Sequence, residues 1–316
     1  MTLAILCSGQ GRQHLGMFAL TGEAPQAASL FAQAARLLGG RDPREMVATE
    51  TPDNLHRNRV GQILAAVQAL AAMTVLRDAM PARLIVAGYS VGEVAAWGVA
   101  GVVEADVILD LVARRAEAMD AASPAGDGLL FVRGLSRTLI DGLCTRFGTS
   151  VAIVNPGDAF VIGGARTALE ALAGEARGLN AARVVDVPVE VASHTARLAS
   201  ASVRFRADLE AVPVRRLPVA GIRLLSGIDG AAVVDARSGL DKLAAQISQT
   251  VQWDACLQAC VEAGATAFLE LGPGPALKEM AASAFPESPA RCLDDFRTIE
   301  GARAWLGRLR SDAGEP

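Results

Sequence analysis

The sequence predicts an α/β fold in which helices cover both faces of a parallel sheet and a smaller unit is inserted. Three observations carry this expectation. Short apolar runs rich in β-branched residues alternate with helix-forming stretches through most of the 316 residues, the pattern of a parallel sheet buried between helices. Residues 84–87, Leu-Ile-Val-Ala, run into Gly88-Tyr89-Ser90-Val91-Gly92 and then into helical composition from Glu93. A strand that turns through G-x-S-x-G into a helix is a nucleophile elbow, so the large unit is expected to be α/β-hydrolase-like. Between residues 126 and 189 the order becomes strand, helix, strand, strand, helix, strand, which is the ferredoxin-like split βαβ pattern.

Taken in order, residues 2–7 form a short apolar strand followed by Ser8-Gly9-Gln10-Gly11-Arg12-Gln13. Two glycines there let backbone N–H groups approach whatever lies above the strand end, although an ordinary strand-to-helix turn has the same composition. Residues 27–38 read as helix, stopped by Gly39-Gly40. Residues 54–80 read as one long alanine-rich helix with Val60, Ile63, Leu64, Val67, Leu70 and Ala71 on one face, ending before Pro81. The elbow strand and its helix follow, then a helix over 104–121, broken by Ser123-Pro124-Ala125-Gly126. In the inserted unit, strands are expected at 128–134, 151–154, 160–163 and 182–187, with helices at 137–147 and 167–177. Beyond it come a helix over 191–211 that opens on Ser193-His194, a strand at 221–225, and a helix over 240–250 running into Val251-Gln252-Trp253. A helix at 255–263 precedes a strand at 266–271 that ends in Gly272-Pro273-Gly274-Pro275. Helices at 276–284 and 301–309 flank a last strand at 290–293, and the tail 311–316 reads as frayed. The expected division is a large unit of 1–125 and 190–316 around a small unit of 126–189.

Composition narrows the function classes. Apolar residues at 51% and charged residues at 20% describe a globular chain. A net charge of −4 lacks the basic footprint of a nucleic-acid partner. The five cysteines are scattered and odd in number, which argues against a disulfide framework. Cys256 and Cys260 could share a helix face, but no histidine lies near them in sequence, so no metal is expected. No apolar run is read as reaching the ~18 residues of a membrane span. The N-terminus has no basic stretch followed by a long apolar one, and a cytoplasmic protein is expected.

A serine nucleophile needs a base, and the chain has three histidines, His14, His56 and His194. His194 is the best placed, where the small unit rejoins the large one, since crevices between units commonly hold sites. His14 lies near the glycine-glutamine loop, and His56 sits among Arg57 and Arg59 as on a solvated face.

Together these residues resemble the malonyl-CoA:acyl-carrier-protein transacylases and their acyltransferase-domain relatives. The resemblance covers nearly the whole chain, in order. It comprises Ser8-Gly9-Gln10-Gly11-x-Gln13, Gln62, Gly88-Tyr89-Ser90-Val91-Gly92-Glu93, Arg115 four residues before Met119, and Val154-Asn155-Pro156-Gly157. It continues through Ser193-His194, Val251-Gln252-Trp253 and Gly272-Pro273-Gly274. The resemblance implies that Ser90 carries the acyl group and His194 is its base, with the Gln252 backbone carbonyl orienting the imidazole and no acidic third member. It implies an oxyanion hole from the backbone N–H groups of Val91 and Gln10, and an Arg115 that reads the malonyl carboxylate. Gln13, Gln62 and Asn155 are expected to line the pocket. No bound cofactor is implied. Malonyl-CoA is the donor, and the acceptor is a phosphopantetheine-type thiol on a carrier protein.

Two positions depart from the family pattern: Ser8 stands where proline is usual, and Tyr89 where histidine is usual. In these the chain is similar to the epsilon (acyltransferase) subunits of biotin-independent malonate decarboxylases, whose acceptor is a small carrier subunit. Competing expectations are a malonyl transacylase of fatty-acid or polyketide synthesis, a serine thioesterase or esterase using the same elbow, and a non-catalytic subunit of a complex.

Overall fold

The computed structural model describes residues 1–215, 217 and 219–312. The last four residues of the tail expected to fray lie outside this range. The strands are β1 (Leu3–Cys7), β2 (Leu84–Gly88), β3 (Asp127–Arg133), β4 (Ser150–Asn155) and β5 (Ala159–Ala165), followed by β6 (Arg183–Val187), β7 (Ile222–Leu224), β8 (Val251–Gln252), β9 (Ala267–Glu270) and β10 (Ala290–Cys292). They form two sheets. The first has the order β10-β9-β1-β2-β7 and is parallel at every pairing. All residues of β1, β2 and β9 are buried, which is why these strands read as unbroken apolar runs and not as alternating ones.

The second sheet has the order β6-β3-β5-β4-β8. Its first four strands are antiparallel neighbours in the order of a split βαβ unit, as the sequence pattern predicts. Helices Arg137–Phe147 and Arg166–Gly178 supply Ile140, Leu143, Leu169 and Leu172 to a separate small core against Leu130, Val132 and Ile162. β8 comes from outside this stretch and pairs parallel with β4, Val251 opposite Ile153 and Gln252 opposite Val154.

Several elements differ from expectation, each for a local reason. The helix expected over 54–80 is broken at Arg57, whose ψ of 137° ends Pro52–His56 before Asn58–Leu76 begins. An unexpected helix at Pro43–Thr49 starts from Asp42, whose side chain accepts from the Arg44 N–H, with Pro43 at the first helical position. The helix expected from 191 is delayed. A 3₁₀ turn, Ala196–Leu198, leads into Ala199–Leu209, leaving His194 in irregular chain. The helix expected over 240–250 lies at Ala236–Ala245, capped by Asp235, and residues 246–250 turn the chain into β8. The membrane expectation is also corrected: Asn58–Ala79 is long and apolar enough, by length and composition, to cross a bilayer. In the fold 83% of its most apolar window is buried, and it serves as a core helix.

The corner at the end of β2 depends on two missing side chains. A Cβ on Gly92 would lie 2.0 Å from the Cys7 carbonyl oxygen, and one on Gly88 would lie 2.2 Å from the Glu93 nitrogen. Backbone cannot yield to such contacts as a flexible side chain could. Gly92→Ala is therefore expected to cost about 3 kcal/mol or more of stability. Thermal unfolding of the two proteins checks this, and an unchanged melting temperature would show that β1 and the elbow are not in contact.

Candidate active site

Ser90 sits between β2 and the helix Val91–Val99 with φ 56° and ψ −122°, a backbone conformation that side-chain-bearing residues rarely adopt. The corner is held by Gly92 N–H donating to the Tyr89 carbonyl and Glu93 N–H donating to that of Ser90. As the first helical residue, Val91 has no carbonyl within the helix to receive its N–H. The Ser8–Gly11 loop after β1 lies directly against the corner. A Cβ on Gly9 would be 2.9 Å from the Tyr89 carbonyl oxygen and 3.5 Å from Ser90 Cβ. The two segments expected to supply oxyanion donors, at Gln10 and Val91, therefore meet at the nucleophile.

His194 also has a left-handed backbone, with φ 62°. Its Nε2 is 2.8 Å from Ser90 Oγ, and its Nδ1 is 2.6 Å from the carbonyl oxygen of Gln246. A carbonyl only accepts, so Nδ1 carries the ring proton and Nε2 is left to receive one from the serine. This corrects the expectation that Gln252 orients the ring. Gln252 is drawn into β8 opposite Val154, whereas Gln246 caps the helix Ala236–Ala245, where the last carbonyls lack helical partners. His14 and His56 take no part. His14 pairs with Asp294 at 2.9 Å on the surface, and His56 ends the short helix Pro52–His56.

Arg115 is 1% exposed on the helix Ala105–Ala122. Its guanidinium donates to Gln62 Oε1 at 2.7 Å and to Gln246 Oε1 at 3.2 Å, while its Nε has no partner. Gln62 in turn donates to Asn58 Oδ1 at 2.7 Å, and Asn58 also receives the Gln10 amide at 3.3 Å. Gln13 commits both ends of its amide near its own loop, to Gly11 N–H and the Leu55 carbonyl, so it braces that loop instead of lining a pocket. Asn155 is buried beside the Tyr89 side chain. It lines a cavity of about 490 Å³ together with Gln10, Tyr89, Arg133 and Arg183, residues drawn from both sheets and their loops.

Burial controls the charges here. It drives His194 down to about 3, helped by the Arg115 charge and opposed by the Gln246 carbonyl. It lowers Arg115 to about 10 against the pull of Glu93. Glu93 is raised by burial to about 7, opposed by hydrogen bonds from the Gly227 backbone, Gln246 and Ser226 and by Arg115. Sequence reasoning missed Gln246, which lies 156 residues from Ser90 with nothing local to mark it. It quoted Glu93 as part of a motif and gave it no place in the site.

The two departures from the family pattern are both packed into the site's surroundings. Ser8 Oγ donates to the buried Glu270 carboxylate at 2.6 Å, and the second oxygen of Glu270 receives the Lys278 N–H at 2.8 Å. The Tyr89 ring meets Trp253 edge-on, with centroids 5.3 Å apart and planes at 82°.

Comparison with known proteins places the chain as a whole in a family. The profile of the acyl transferase domain family matches residues 5–311. A malonyl CoA-acyl carrier protein transacylase of Mycobacterium tuberculosis (strain H37Rv) is 33% identical over 299 residues, covering 92% of this chain and 96% of its own. One from Haemophilus influenzae is 27% identical over 312 residues, covering 96% and 98%. Among solved structures, the acyl-carrier-protein S-malonyltransferase of Burkholderia pseudomallei 1710b superposes with a TM-score of 0.87 at 26% identity, covering 97% of this chain and all of that one.

With its pKa near 3, the His194 ring is neutral, the proton-accepting form, throughout the usual assay range. Ser90 labelling by a neutral serine-directed fluorophosphonate is therefore expected to vary by less than about threefold between about pH 8 and about pH 5. A fall centred near pH 6.5 that persists in Glu93→Gln, which removes the carboxyl that Gln246 contacts and that titrates in this window, would mean that the ring is hydrated and not buried.

Proposed function

The chain belongs to the acyl transferase domain family, and from that premise we propose that it moves a malonyl group from malonyl-CoA, through a Ser90 ester, to the phosphopantetheine thiol of a carrier protein. The observation that carries this reading is a histidine 2.8 Å from the serine hydroxyl, with a buried arginine near it whose guanidinium is held by amide oxygens. Ser90 Oγ attacks the thioester carbonyl as its proton passes to His194 Nε2. The Val91 and Gln10 N–H groups receive the developing oxyanion. CoA leaves as its thiol, taking the proton from His194. In the second half the carrier thiol gives its proton to the same nitrogen, attacks the Ser90 ester, and Ser90 regains its hydrogen. The malonyl carboxylate meets the planar Arg115 fork, whose Nε is free of internal partners.

In this reading residues 1–125 and 190–316 form the catalytic unit. Residues 126–189 close the opposite wall of the cavity through Arg133, Asn155 and Arg183. The acceptor supported by the relatives is the acyl carrier protein that the Mycobacterium and Haemophilus enzymes are named for. The narrower reading, a malonate decarboxylase carrier subunit, rests on Ser8 and Tyr89 alone. Mass analysis of each carrier after incubation with the enzyme and malonyl-CoA separates the two. Transfer to acyl carrier protein and not to the decarboxylase carrier is the expected result.

Acyl choice supplies a sharper test. Leaving one member of a desolvated charge pair alone costs about 2–5 kcal/mol, or roughly 30- to several-thousand-fold in kcat/KM. Arg115→Ala is expected to lose malonyl transfer by such a factor while acetyl transfer stays equal or rises, and Arg115→Lys is expected to recover only part. Equal losses for the two thioesters would mean that Arg115 supports the fold and does not read the substrate. Ser90→Ala, in turn, is expected to abolish the malonyl-enzyme adduct in intact-mass spectra.

A further inference from the structure

We propose that the side chain of Gln246 is a positioning residue for acyl selection, an amide held between Glu93 and Arg115 that keeps the guanidinium charge available and in register with Ser90. The inference rests on the malonyl-transfer reading above and assigns a residue that reading does not require.

Gln246 is fully buried, and the direction of its amide is forced. Its Nε2 donates to Glu93 Oε2 at 2.5 Å and to the Ser90 carbonyl at 3.1 Å, two groups that accept when Glu93 is ionised. Its Oε1 must therefore face the other way, where it accepts from Arg115 at 3.2 Å. The guanidinium is thus held from two sides by neutral carbonyl oxygens, those of Gln62 and Gln246. Neutral acceptors orient a cation without cancelling its charge. Among the described residues no carboxylate forms an ion pair with Arg115, although Glu93 is near enough to stabilise its charge. Without the amide between them, these two buried opposite charges would pair directly, and an incoming carboxylate would have to compete with Glu93. The same residue supplies the carbonyl that holds His194, so a single side chain and its backbone relate the acyl anchor, the nucleophile and the base.

The test compares kcat/KM for malonyl-CoA and acetyl-CoA in the wild type, Gln246→Leu, and Gln246→Leu combined with Glu93→Gln. Leucine keeps the backbone carbonyl and removes the amide. The expected result is a malonyl-to-acetyl ratio at least about tenfold lower in Gln246→Leu, mainly through the KM for malonyl-CoA. Removing the competing carboxylate with Glu93→Gln should restore much of the ratio, which a purely structural role for Gln246 would not do. Equal losses for both thioesters, or no recovery in the double variant, would overturn the proposal. If Gln246→Leu does not fold, Gln246→Glu decides. A carboxylate set against the guanidinium should lower the same ratio, and an unchanged ratio would overturn the proposal. A wild type without malonyl preference would sink the malonyl reading itself, whereas a selective wild type with an unaltered Gln246→Leu ratio sinks only the role of Gln246.

Discussion

The site depends on how closely the end of β1 approaches the corner after β2. The Cys7 carbonyl accepts the Tyr89 N–H at 2.9 Å, and the absence of a Cβ on Gly92 lets the first turn of the elbow helix lie on that same carbonyl. Adjacent parallel strands end at the same level, so the loop leaving β1 and the serine leaving β2 are delivered to one point. The strained backbone of Ser90 persists because its neighbours on both sides are fixed by this contact. The remaining parts of the site, the histidine, the arginine and the glutamines, are arranged around a corner whose position is already set.

A second constraint is electrostatic. Glu93, Arg115 and His194 are all buried at a single place, where each would be costly alone. The fold joins them through amides and carbonyls more than through direct ion pairs, and each group's state follows from that. The histidine is neutral because burial and a neighbouring cation both oppose its protonation. The arginine stays charged because its pKa, though lowered, remains far above neutrality. Glu270 repeats the pattern at the other end of the β1 loop. Its carboxyl is raised by burial to about 7 and satisfied by the Ser8 hydroxyl and the N–H groups that open the next helix. Ser8 thus fills a structural need that a proline at that position, lacking a hydroxyl, could not meet.

Much of the fold was legible from local chemistry. β2 and its turn were readable because apolar strand, glycines and helix formers occur in one unbroken stretch. The ferredoxin-like unit was readable from the order of its elements. Ser90 and His194 lie within hydrogen-bond distance, and Arg115 is linked to both through Gln246. What escaped was non-local. The carbonyl facing His194 is decided by where the helix Ala236–Ala245 stops, and a shift of that end moves the role from Gln252 to Gln246. The break at Arg57 and the helix Pro43–Thr49 are matters of caps and ψ angles that periodicity does not register. The apolar character of the long helix was also underestimated, because polar Gln62 and Gln68 interrupt the run without exposing it.

That apolar helix carries a consequence for synthesis. It is complete once residue 76 is made, yet its final cover includes the helix Ile299–Asp312, from which Arg303 donates to the Val75 carbonyl. β1, the middle strand of the first sheet, likewise lacks its second neighbour until β9 emerges at residue 267. At about 5–20 residues per second, roughly 10–50 s separate the first strand from the partner that completes it. Most of that helix is covered much earlier, by Ala28–Leu37, Val91–Val99 and Ala105–Ala122, so what waits for the C-terminal helix is its end around Val75. The strand order thus leaves one edge of β1 without its ladder partner for that interval, and closing the sheet is what the end of synthesis supplies.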